Sequence, residues 1–73
     1  MENVKIAIDI NISQAKERFF EVYANIPFGF RGGIILVLDD EPITWHSARI
    51  EIQSDTKLGQ RILEQLVTLG ILK

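Results

Sequence analysis

The sequence predicts an α+β fold: a three-stranded mixed sheet with two helices packed on one face. Three observations carry that prediction. Residues 4–10 alternate apolar and polar, two later stretches carry apolar residues at helical spacing, and residues 34–38 form an unbroken apolar run. Their order reads β-α-β-β-α over a single domain, residues 1–73.

Each element has a local cause. Val4, Ile6, Ile8 and Ile10 alternate with Lys5, Ala7 and Asp9, the pattern of a half-buried strand. Asn11 or Ser13 then offers a side-chain oxygen to cap a helix over about residues 13–25. Ala15, Phe19, Val22 and Tyr23 make its buried stripe, Phe20 and Ala24 its shoulder, and Glu17, Arg18 and Glu21 its wet face. Pro27 ends it, because proline disfavours helical backbone in the residue before it. The loop Phe28-Gly29-Phe30-Arg31-Gly32-Gly33 leads into Ile34–Leu38. Successive strand residues point to opposite faces, so five apolar residues in a row imply burial on both sides and a central place in the sheet.

Asp39 to Pro42 reads as a turn. Residues 43–52 read as the third strand, with a phase slip. Ile43 and Trp45 share one parity, while Ala48, Ile50 and Ile52 share the other. A β-bulge at His46-Ser47 places all five on one side. Ser54, Asp55 or Thr56 caps the second helix, about residues 56–69, whose stripe is Leu58, Ile62, Leu66 and Leu69 with Leu63 and Val67 on one flank. Gly59 projects toward that flank, where a missing side chain permits close approach. Gly70 suits the left-handed position after a helix, with Ile71 folding back on Leu66. The strand–helix–strand unit favours a right-handed crossover and parallel first and central strands, and the short turn pairs the central and third strands antiparallel.

Composition narrows the function. Seventy-three residues lie near the lower end of what folds unaided, and without cysteine there is neither a disulfide staple nor a thiolate metal site. Twelve isoleucines, seven leucines and four valines exceed what one thin core readily buries, so self-association as a homodimer is expected. The helix-free face of the central strand and the sheet edges are the expected interface. A net charge of −2 with no basic face disfavours nucleic acid. The longest apolar run, five residues, is too short to span a bilayer, and the first residues lack a basic-then-apolar signal pattern. No membrane association and a cytoplasmic location are the expectation.

Three places hold candidate chemistry. Phe28, Phe30 and Arg31, set among glycines, could stack on bases or grip a partner. The weightier reading is packing, with both phenylalanines closing one end of the core. Phe28-Gly29-Phe30 matches the aromatic-glycine-aromatic part of an RNA-binding strand, but Ile26-Pro27 stands where a basic-glycine pair belongs. Asp39-Asp40-Glu41 reads as a solvated turn, since adjacent carboxylates diverge and a calcium loop spaces its oxygens over about twelve residues. Trp45 and His46, with Arg49, form the third place. His46 is the sole histidine, and Ser47 and Glu51 are its only local partners for acid–base chemistry. Trp45 suits the core or an interface anchor.

No catalytic, cofactor or metal motif emerges. The expected function is a small homodimeric protein–protein interaction module without intrinsic catalysis, with Phe28, Phe30, Arg31, Trp45 and His46 as candidate contacts. The alternative is a small nucleic-acid-binding regulator or antitoxin-like protein that uses the Phe28–Gly33 loop.

Overall fold

Helix caps written in the local sequence start each of the three described α-helices in the computed structural model, which describes residues 11–72. The side chain of Asn11 accepts from the Gln14 N–H at 3.1 Å and opens α1, Ile12–Ala24. A single 3₁₀ turn, Phe28–Phe30, follows Pro27. Two antiparallel strands come next, β1 (Ile34–Leu38) and β2 (Glu41–Thr44), and β2 runs directly into α2, Trp45–Gln53. The last helix, α3, spans Lys57–Thr68 behind Thr56, whose hydroxyl accepts from Gly59 N–H at 2.9 Å.

The described residues are therefore α+β, with three helices and a two-stranded antiparallel sheet. This corrects the expected three-stranded mixed sheet with two helices on one face. The strand expected at residues 4–10 lies outside the described residues. The correction has a physical basis: residues 45–53 are a helix, and no bulge forms at His46-Ser47. The phase slip there marks a change of period from two to 3.6. Trp45, Ala48 and Ile52 stand at i, i+3 and i+7, so all three turn toward the core. Thr44 and Ser47 make a reciprocal capping box, Ser47 N–H donating to Thr44 Oγ1 at 3.0 Å and Thr44 N–H to Ser47 Oγ at 2.9 Å.

A bulge does occur, but in β1. Ile34 pairs with Thr44 and Leu36 with Ile43, so Ile35 is the extra residue. Leu36 and Leu38 share the core side with Ile43, and the shift brings Ile34 and Val37 together on the outer side beside Pro42. The hairpin turn is Asp39-Asp40, both at positive φ (51° and 67°), as a two-residue turn of the type matched to strand twist requires. Glu41 and Pro42 already belong to β2.

The core is one cluster. Phe19 is fully buried at its centre, its ring 5.4 Å from Phe20, 6.0 Å from Tyr23 and 5.9 Å from Trp45. Ile52, Ile62 and Leu66 are equally buried and bring α2 and α3 against α1. A Cβ on Gly59 would lie 2.5 Å from the carbonyl oxygen of Glu51, so the two helix backbones meet there, as the lack of a side chain suggested. After α3, Gly70 (φ 79°) reverses the chain. Ile71 N–H donates to Leu66 O at 2.9 Å and Gly70 N–H to Val67 O at 3.0 Å, a complete Schellman pair. Leu72, rather than Ile71, returns to the core.

Among the described residues, two surface ion pairs join elements distant in sequence. Lys16 meets Asp55 at 2.7 Å, and Arg61 on α3 meets Asp39 at the hairpin tip at 2.8 Å. The hydrogen bond from Arg61 and its charge hold the Asp39 carboxyl below the usual carboxylate range. A folded pKa below the unfolded one means this pair supports the fold at neutral pH. The support fades as pH falls through the depressed value. In an Arg61→Gln variant, carboxyl NMR should show the Asp39 midpoint moving up toward the ordinary range, and an unmoved midpoint would contradict the pairing. Gly59→Ala should lower stability by about 1–3 kcal/mol through overpacking. That loss outweighs the roughly 1 kcal/mol gained in helix propensity. The urea midpoint reads the balance, and a rise would show that α2 and α3 separate easily.

Candidate functional site

A cleft of about 490 Å³ opens between the C-terminal end of α1, the 28–33 loop and the start of α2. Tyr23 forms its floor, Phe28, Arg31 and Gly32 one wall, and Thr44, His46 and Arg49 the other. Its size is in the range of small-ligand sites, roughly 300–1,000 Å³.

Arg31 organises the cleft. One of its terminal nitrogens donates to the carbonyl of Tyr23 at 3.2 Å, where the α1 dipole favours a cation. The guanidinium carbon lies 4.4 Å from the Tyr23 ring centre and 5.1 Å from that of Phe28. Arg49 approaches the same tyrosine at 5.7 Å and reaches along its helix to Gln53 Oε1. One phenol ring therefore carries two guanidinium groups. Among the described residues, the ion pairs engage Lys16 and Arg61 and leave no carboxylate on Arg31 or Arg49. Arg31 Nε is also withdrawn from water with no hydrogen-bond partner there.

Backbone bonds tie the two walls together. Trp45 N–H donates to Gly33 O at 3.2 Å and His46 N–H to Arg31 O at 3.0 Å. With Ser47 N–H on Thr44, three of the free donors at the start of α2 are already used. The recognition chemistry of the cleft therefore lies in side chains, not in a helix N-terminus.

The structure gathers Phe28, Arg31 and His46 of the expected contacts and separates the other two. Trp45 turns inward against Phe19 and packs, partly buried, on the core. Phe30 stays in solvent beyond the cleft wall. The expectation that Phe28 and Phe30 close the core is also overturned, because the 3₁₀ turn holds both outward, 83% and 68% exposed. Ser47 and Glu51, named as local partners for His46, are engaged elsewhere, Ser47 in the capping box and Glu51 as acceptor of the Thr56 hydroxyl at 2.6 Å. Asp39, Asp40 and Glu41 are all exposed, as expected, but only the first two form the turn, since Glu41 opens β2. Among the described residues no group of three or more His, Asp or Glu side chains could hold a metal ion.

Tyr23 joins the site unforeseen, since its helical spacing marked it only as core. Arg49 and His46 stand three apart on one helix, so their shared face was readable once residues 45–53 were taken as helical. Arg31→Lys should lose about 1–2 kcal/mol of stability, since an ammonium cannot stack flat on the rings while it also donates to the Tyr23 carbonyl. Denaturant unfolding measures this, with Arg49→Gln as the milder control. An unaffected Arg31→Lys protein would remove Arg31 from that role.

No known protein family, curated protein or solved structure gives a match to this chain.

Proposed function

We propose that the chain is a small protein–protein interaction module that pairs with a second copy of itself through the outer side of the hairpin. One observation carries this reading: Ile34 and Val37 share that side and are 62% and 61% exposed. The bulge at Ile35 aligns them, and Pro42 continues the apolar surface on β2. Full burial of such a side chain contributes about 1.5–3 kcal/mol, so two symmetric copies gain from four of them. Within the described residues β1 pairs only with β2, and a second copy would meet it in a twofold arrangement, the same surface on both copies. Among the described residues no helix is long and apolar enough to cross a membrane.

Sedimentation equilibrium at tens of micromolar should return the mass of a dimer, and Val37→Lys should shift it to a folded monomer. A wild-type protein that stays monomeric at the highest concentration would defeat the self-association reading.

A further inference from the structure

The geometry points to the cleft at Tyr23, Arg31 and Arg49 as a binding site for an acidic peptide segment, one that presents a carboxylate beside an apolar side chain. It is separate from the hairpin face and does not depend on self-association. The charged wall residues of the cleft are both arginines, Arg31 and Arg49, with the His46 imidazole beside them and no carboxylate in the lining. Within the described residues neither arginine has a carboxylate partner in ion-pair contact. A planar guanidinium matches a carboxylate bidentately, and two of them line this cleft, 4.4 Å (Arg31) and 5.7 Å (Arg49) from the centre of the Tyr23 ring. Arg31 is held by Tyr23 O and by two rings, so little side-chain entropy is lost when it binds. The exposed ring of Phe28 stands at the rim, where an apolar neighbour of the carboxylate would lie.

The same chemistry weighs against a nucleic acid. Nucleic-acid binding follows a phosphate track and needs a basic stripe, whereas this chain has a net charge of −2 and its paired guanidiniums are confined to one cleft. Backbone donors do not add to the site, because those at the start of α2 are taken by Gly33 O, Arg31 O and Thr44 Oγ1.

The test is an amide and arginine side-chain NMR titration of the whole chain. The probes are a blocked hexapeptide of alternating glutamate and leucine, its glutamine counterpart, inorganic phosphate and a twelve-nucleotide single-stranded DNA. The glutamate peptide should saturably shift Arg31, Thr44, His46 and Arg49, and should bind about tenfold more tightly than the glutamine peptide. Arg49→Gln should abolish that difference and Arg49→Lys restore part of it, both with the fold intact in the amide spectrum. Arg49 is the residue to change because Arg31 also supports packing. The Val37→Lys variant should bind the glutamate peptide as wild type does. Equal affinity for the two peptides, shifts located away from the cleft, or loss of binding in folded Val37→Lys protein would each overturn the inference. So would tighter binding of phosphate or DNA in the cleft.

Discussion

The approach of α2 and α3 at Gly59 is the constraint on which the remainder depends. With hydrogen in place of a side chain, the start of α3 rests on the backbone of Glu51 and Ile52. Thr56 reinforces the corner, since its hydroxyl donates to Glu51 Oε1 and accepts from Gly59 N–H. Ile52 and Ile62 are then driven into the same interior, and α1 closes over them with Phe19. A chain without disulfides needs such backbone-level contact, because its few core side chains contribute only a few kcal/mol each.

Once α2 is pinned at its C-terminal end, its other end is free to organise the surface. The Thr44–Ser47 box ends β2 abruptly, and the next two N–H groups reach back to the loop carbonyls. That return holds Arg31 against Tyr23 and places Arg49, one turn along the helix, over the same ring. The charged cleft is thus a consequence of how β2 becomes a helix. The exposed outer side of the hairpin has the same origin, since the ladder must bulge at Ile35 to meet Thr44 in register.

Much of this was legible locally. Asn11, Pro27, Thr56 and Gly70 mark helix ends through groups within three or four residues of themselves, and each acts in the structure as its chemistry predicts. Residues 45–53 were not legible as a helix, because isoleucines at 50 and 52 also satisfy a strand alternation. Thr44-x-x-Ser47 was the available signal, and it is weaker than a box closed by Glu or Gln. Phe28 and Phe30 misled for a different reason. Aromatic residues beside a small core usually pack, but a 3₁₀ turn after Pro27 points them outward and neighbouring sequence carries no trace of that direction.

By itself, then, the amino-acid sequence determined that α1 and α3 exist and, to within two or three residues, their ends, which of their faces are apolar, and where the chain reverses at Asp39 and Gly70. Those are short-range matters of hydrogen-bond capping, side-chain period and backbone sterics. Only the tertiary structure decided that Trp45–Gln53 coils rather than extends, since burial of Ala48 and Ile52 against α3 rewards the helical period over the strand one. It alone also decided that Tyr23, Arg31 and Arg49 meet. They lie on three separate segments, and their encounter depends on packing distances that no local pattern encodes.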